Sequence, residues 1–318
     1  MILHQFEYET FKAYEEKNLG AYPTFTLEQD NLIKDQIIRI RSLSRSNRYL
    51  HLFLQLIPLL SLFSLWFLTL NFLPAFFTNT VIQVSLVALC LGFIGYSFVI
   101  YTLHEGAGHG LFRTYPKLKL IAFNLPRLKM ADPQYYQNCH QKHHKHLGKE
   151  EDCAFTNFIS LNRFLRSVVP GAGIFFPNDY NIHQNPVRTK SRTITEITGL
   201  IVILIELKLL QSHFSLINSL LIVCLLAPWF GMVFDRIRET TEHRFMPAHN
   251  LYGTKELGIG IFAQVIGGGP WGQPCHFSHH LAPDLTWYQQ VMLHLSLRKI
   301  MNKKQKDFFF FNIREYYQ

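Results

Sequence analysis

Polar sequence runs to about residue 49, and then charge disappears: from Leu50 to Leu103 there is no Asp, Glu, Lys or Arg. Pro74 and the polar run Thr78-Asn79-Thr80 interrupt this stretch near its middle. Each half is long enough for a membrane-spanning helix, which needs about 20 apolar residues. The pattern predicts spans over about 50–73 and 81–103. A second apolar region, Ile194 to Phe234, splits near Gln211-Ser212-His213 into spans of about 194–210 and 214–234, with Glu206 and Lys208 weakening the first. The expected fold is all-α and integral to the membrane, with four transmembrane helices in two hairpins and a cytoplasmic helical cap. A buried soluble core is a poor account of two apolar hairpins.

The flanks set the organisation and orientation. Residues 1–49 read as a cytoplasmic N-terminal region with short helices, for example around Leu27–Arg41. Residues 50–300 form the expected membrane domain, and 301–318 a basic cytoplasmic tail. Between the hairpins, the segment from His104 to about Thr193 holds Pro116, Pro126, Pro133, Pro170, Pro177 and Pro186, which predicts short helices joined by turns. Asp235–Arg244 continues a helical pattern with charges, as though the fourth span protrudes from the bilayer. The run Gly267-Gly268-Gly269-Pro270 then breaks the chain. Lys and Arg crowd the N-terminal region (Lys12, Lys17, Lys34, Arg39, Arg41, Arg45, Arg48), the 104–192 segment and the tail, but are nearly absent from the hairpin tips. The positive-inside rule places both termini and the 104–192 segment in the cytoplasm. A polar N-terminus argues against a cleavable signal peptide.

The spans explain a hydrophobic content of 48% and 28 Phe. A net charge of +9 needs no nucleic-acid partner, since basic cytoplasmic segments meet anionic lipid headgroups and no nucleic-acid-binding motif is present. The cysteines, Cys90, Cys139, Cys153, Cys224 and Cys275, lack CxxC spacing, which predicts reduced thiols.

Histidine carries the chemistry. Of 16 histidines, nine fall into a pattern: His104 and His109 in HEGAGH; His140, His143 and His144 in HQKHH; His276, His279 and His280 in HFSHH; and His243 in RETTEH. On a helix, positions i, i+3 and i+4 share a face, so HxxHH turns three imidazoles one way. Its adjacent pair diverges by about 100°, so two neighbours can serve different ions. Eight or nine imidazoles exceed the needs of one ion and fit two. HEGAGH is not the HExxH of zinc proteases, because on an α-helix its histidines would lie about 140° apart. Either Gly106 and Gly108 let the helix end deform and bring the rings together, or the pair serves both ions. Glu239, one turn before His243, could hold a metal-bound water, orient His243 or form a surface salt bridge, and Glu105 is a second carboxylate beside the ligands. The lone histidines His4, His51, His183, His213, His249 and His294 read as surface or interfacial residues, and His146 as structural or supporting. Imidazole alone does not name the metal, but the lack of thiolate spacing favours redox chemistry over a structural zinc site.

HxxxxH, HxxHH and HxxHH in this order, at the ends of the second and fourth spans, resemble the histidine boxes of the membrane fatty acid desaturase family. The resemblance covers roughly residues 50–300 and includes HEGAGHG and HHLAPDLTWYQQ. It implies a di-iron centre at the cytoplasmic membrane face, which uses O₂ to remove two hydrogens from an acyl chain. The implied ligands are His104, His109, His140, His143, His144, His276, His279 and His280, with His243 matching an extra histidine often found before the third box. Where some members carry Asn one turn earlier, this chain has Glu239. The third box begins with His276 and not Gln, unlike front-end desaturases. No haem-binding HPGG segment is present, so electrons would come from a separate carrier, ferredoxin-like or cytochrome b5, which basic patches such as Lys142, Lys145 and Lys149, or Lys303, Lys304 and Lys306, could dock. The acyl substrate could be a lipid, a CoA ester or carrier-protein linked. The same scaffold could serve a hydroxylase or ketolase of an alkane, sterol or carotenoid. A metal transporter fits poorly, since transport needs polar ligands near mid-bilayer and these lie at the cytoplasmic ends.

Overall fold

A computed structural model describes residues 23–147, 152, 161–169, 189–243, 246, 253–271 and 273–311. Expectations for residues 1–22, Lys149, Cys153, most of the 148–188 segment and the tail beyond residue 311 lie outside these. The described residues are helical, joined by turns and one isolated β-bridge between Glu256 and Phe310.

Helix α1 (Leu27–Ser46) begins at a capping box, in which Thr26 and Gln29 satisfy each other's backbone N–H groups. It is followed by α2 (Arg48–Asn71) and α3 (Thr80–Gly108), whose last turns, Ile100–Gly108, are π-helical. The short helices α4 (Pro116–Asn124), α5 (Pro133–His146) and α6 (Leu161–Val168) come next. Helix α7 (Lys190–Leu210) precedes α8 (Leu216–His243), and α9 (Ile261–Ile266), α10 (His276–Leu281), α11 (Trp287–Ile300) and α12 (Lys303–Phe309) complete the cap. Three helices, α2, α3 and α8, are long and apolar enough to cross a membrane. Helix α7 is also long, but Glu196, Glu206 and Lys208 interrupt its apolar sequence.

One apolar core joins α3, α7 and α8 through Val84, Val87, Leu91, Leu210, Ile222 and Val223. Another lies under the cap, where Ile33, Ile37 and Ile40 of α1 meet Phe277, Leu293, Leu297 and Phe309. Helices α3 and α8 cross closely at Gly92, where a Cβ would sit 2.6 Å from the Ala227 carbonyl oxygen. Only a residue without a side chain permits that backbone approach, as in other packed membrane helices. The crossing brings the protruding ends of α3 and α8 together, with His104 on one and His243 on the other.

One expectation about the thiols is overturned. Cys90, Cys224 and Cys275 are free, but Cys139 is disulfide-bonded, to a partner outside the described residues. Spacing along the chain does not report which sulfurs the fold brings together.

Candidate metal centre

Each histidine cluster sits on an element whose local sequence fixes its direction. Helix α5 starts with Asp132, whose side chain accepts the Gln134 and Tyr135 backbone N–H groups, and Pro133 fills the first turn, where its missing N–H costs nothing. Helix α10 follows the glycine turn at Gly267–Pro270, in which Gly268 and Gly269 take φ of 82° and 91°. The carboxylate of Glu256 accepts both the backbone N–H and the hydroxyl of Ser278, holding the start of α10 in place.

HEGAGH lies on the π-helical end of α3, where the His109 N–H donates to the His104 carbonyl at 3.1 Å. Closing the chain at i→i+5 stacks residues five apart, and such turns concentrate at functional sites. The His104 and His109 rings accordingly lie 4.8 Å apart on one side of the helix. The extra residue relative to HExxH is absorbed by the wider turn.

The nine clustered histidines gather in one place and sort into two neighbouring groups. His104, His109, His140, His144 and His279 present donor atoms within 4.8 Å of one another. His143, His276 and His280 form a second such set, and His276 also joins His243 and Glu242. The adjacent pairs divide between the groups: His144 and His279 face the first, His143 and His280 the second. The groups abut, with the His144 and His280 rings 4.4 Å apart.

The donor atoms fit metal ions. Nε2 of His109 lies 2.6 Å from that of His140, His140 to His144 is 3.0 Å, His144 to His279 is 3.0 Å, and His243 to His276 is 3.2 Å. Two ligands at right angles on an ion about 2.1 Å away would be about 3.0 Å apart. Lone pairs facing each other at that distance repel unless a cation lies between them. On four of the rings the other nitrogen has a partner. Nδ1 of His104 meets Glu105 at 3.1 Å, Nδ1 of His143 meets both oxygens of Asp152 at 3.0 Å, and Nδ1 of His243 meets the Gly253 carbonyl at 3.1 Å. Nδ1 of His140 meets the Tyr136 hydroxyl at 3.3 Å. A neutral imidazole that donates through Nδ1 carries its lone pair on Nε2, the tautomer a metal requires. Nε2 of His104 and both nitrogens of His280 are buried without a hydrogen-bond partner.

Burial favours the neutral ring at six of them. It holds His140, His276, His279 and His280 well below the ordinary imidazole range, with neighbouring histidines adding to the effect. His109 is lowered in the same way, and burial brings His144 down to about 3. Neutral imidazole is the form that binds metal, so the site is ready at neutral pH.

Four supporting residues escaped sequence reasoning. Asp152 holds His143; Gln290 lies 3.1 Å from Nδ1 of His279 and also reaches Glu105; Glu256 anchors α10; and Glu242, fully buried, faces His276. None carries a signal in spacing to the boxes. Glu239 forms ion pairs with Arg236 and Arg238 on the same helix while lining the adjoining cavity. His294 is not a surface residue: it is fully buried, 2.8 Å from Glu256, and with Glu256 and Cys275 makes a small polar cluster behind α10.

A cavity of about 610 Å³ opens from the histidines, within the range of small-molecule sites. Its upper wall includes His104, His140, His143, His243 and His276. Below them it is bounded by Leu91, Val99, Ile100 and Leu103 of α3, Val202 and Ile203 of α7, and Val223 and Met232 of α8. Leu91 and His104 are thirteen residues apart, so the lining descends about 20 Å along α3.

No curated protein gives a significant match to this sequence. A family model described as fatty acid desaturase matches residues 80–311, a region that begins at α3 and contains all nine clustered histidines. With more than half of its length matched, and with histidine clusters able to hold metal ions at the ends of membrane-length helices, the chain belongs to the fatty acid desaturase family.

Proposed function

We propose that this protein is an O₂-dependent acyl desaturase that introduces a double bond into a chain held in the cavity beneath a di-iron centre. The observation that carries this reading is the continuity of an apolar slot with converging imidazole nitrogens. One ion would be held by His104, His109, His140, His144 and His279, and the other by His143, His243, His276 and His280. Iron bound there would supply the O₂ chemistry needed to break unactivated methylene C–H bonds.

The chain's own residues do the rest. Glu105, Tyr136, Asp152 and the Gly253 carbonyl hold ring N–H groups and so aim the opposite nitrogens inward. Leu91, Val99, Ile100, Leu103 and Ile203 exclude water and fit a methylene chain, which offers no polar group to bind. The position of the double bond follows from how far the chain descends before meeting the cavity floor.

The membrane arrangement completes the reading. Helix α7 is the third of four spans, forming with α8 the second hairpin. Ile194, Ile197, Leu200, Ile201, Leu204 and Ile205 make one exposed apolar stripe, while Thr195, Gly199 and Glu206 turn inward. A polar interior with an apolar exterior suits a helix surrounded by lipid. Both termini and the histidine cap then lie in the cytoplasm, where a ferredoxin-like protein or cytochrome b5 delivers electrons. Lys142 and Lys145, exposed on α5, suit an acidic carrier.

Expression in a host lacking such an activity, with double-bond mapping of total lipid, tests the proposal. A new unsaturated acyl species should appear with the wild type and vanish in His144→Ala and His280→Ala. A hydroxylated product in its place would transfer the site to the hydroxylase reaction, and zinc or no metal in the purified protein would overturn the iron centre.

A further inference from the structure

The two histidine groups differ in one component that the histidine boxes do not contain. Glu242, on the protruding end of α8, is fully buried beside the second group. Its Oε2 lies 2.5 Å from the Arg238 guanidinium and 3.7 Å from Nε2 of His276. Its Oε1 is buried with no hydrogen-bond partner. A buried carboxylate oxygen without a donor is costly, and in native structures it signals a missing partner such as an ion.

Arg238 does not remove the deficit. That guanidinium is shared among Glu242, the Gln273 amide oxygen at 2.6 Å and Asp235 at 2.9 Å, and it reaches only one of the Glu242 oxygens. Among the described residues nothing else donates to the second oxygen, while His276 approaches the carboxylate to 3.7 Å. Glu242, His243 and His276 place one donor atom each within 4.8 Å, a span that a single ion fills, since opposite ligands about 2.1 Å from a metal lie about 4.2 Å apart.

We propose that Glu242 is an anionic ligand of the second metal, alongside His143, His243, His276 and His280. The inference rests on the reading of the histidine groups as a di-iron centre. Nine neutral imidazoles leave all the charge of two divalent ions uncompensated in a buried site. One carboxylate, on the group with only four histidines, offsets part of it and completes a five-ligand set to match the first group. The two metals are therefore inequivalent, one held by nitrogen alone and the other by nitrogen and oxygen.

The test uses the full-length protein in detergent, loaded with ⁵⁷Fe(II), and reads iron stoichiometry, competition with a chelator and the Mössbauer spectrum. Wild type should bind two irons with two distinct ferrous quadrupole doublets. Glu242→Gln, which keeps shape and loses charge, should weaken one iron by about 10–100-fold and move one doublet while leaving the other in place. Arg238→Gln separates the ligand role from an ion-pair role: a pure ion pair predicts equal loss in both single variants and recovery in the double variant, whereas a ligand predicts that the double variant stays deficient. If Glu242→Gln does not fold, Glu242→Asp should fold and show the weakened iron. Two tightly bound irons with an unchanged spectrum in a folded Glu242→Gln protein would overturn this inference alone. A wild type that binds no iron would overturn the di-iron reading and the inference with it.

Discussion

The two histidine groups are built from the same residue type and held by different means. Rings of the first lean on a phenol, an amide and a carboxylate: Tyr136 behind His140, Gln290 behind His279, and Glu105 behind His104. The second is braced by the Asp152 carboxylate behind His143 and by a backbone carbonyl behind His243. The first draws on α3, α5 and α10, with His104 and His109 arriving together on the π-helical end of α3; the second draws on α5, α8 and α10, with His276 and His280 arriving together on α10. Both groups therefore depend on assembly, and they differ in the helix each does not share, α3 for the first and α8 for the second. A hydrogen-bond partner behind these rings matters in both groups, because a ring free to rotate loses its aim.

The sharpest way to break this division is to remove neighbouring ligands one at a time. His143→Ala and His144→Ala differ by one position but strike different groups. Each should lower desaturation by about 10³-fold or more, while metal analysis shows about one iron lost and a different one in each case. Identical loss of both irons in both variants would show a single cooperative site. Gly108→Ala should come next in size. A Cβ there would sit 2.7 Å from Cδ2 of His140, so the ring must move. A displacement approaching 1 Å should cost about 10–100-fold in turnover, with Mössbauer change confined to the first group. Asp152→Asn makes the reciprocal change, expected to weaken iron in the second group by about 10–100-fold in a chelator competition.

Proton competition should act on both groups, since burial depresses imidazoles in each. A histidine held below its unfolded value near 6.5 binds fewer protons in the folded state, so the unfolded state is favoured as pH falls. For His144, lowered to about 3, that window runs from about 6.5 down to about 3. Metal-stripped protein should therefore melt at lower temperature at pH 5 than at pH 7.5, and His144→Gln should reduce the difference. A melting temperature independent of pH across that interval would contradict buried neutral histidines.

The histidine clusters were legible because a site able to hold metal demands a residue type, and type survives in sequence. The spans α2, α3 and α8 were legible because lipid demands length and apolarity. What stayed hidden depends on the third dimension. The α-helical period sets His104 and His109 about 140° apart, and only i→i+5 bonding brings their rings together. Asp152, Glu242, Glu256 and Gln290 lie next to ligands in space and carry no spacing rule. The Cys139 disulfide was invisible for the same reason. Glu206 shows the limit most plainly, since a charge within an apolar run counts against a span when its partner cannot be seen.

That partner leads to the smallest expected effect. The buried Glu206 carboxylate accepts the Trp66 indole N–H at 2.7 Å and pairs with the Lys129 ammonium. Both charged side chains line the cavity. Charge at this depth persists only when it is paired, and breaking such a pair from one side leaves the other charge stranded. Glu206→Leu alone should therefore destabilise the protein, whereas Lys129→Met with Glu206→Leu removes both charges and should cost less, leaving only the Trp66 N–H without its acceptor. With the clustered histidines untouched, the double variant should keep activity within about threefold of wild type. If an acyl chain fills the cavity as proposed, the variant's preference among chains should change, because the wall at these two positions has become apolar. Competing substrates of different chain length, assayed in one mixture, report that ratio without interference from total activity. An unchanged ratio in the double variant would mean that the chain stops short of Lys129 and Glu206, and that the histidine end alone sets where the double bond falls.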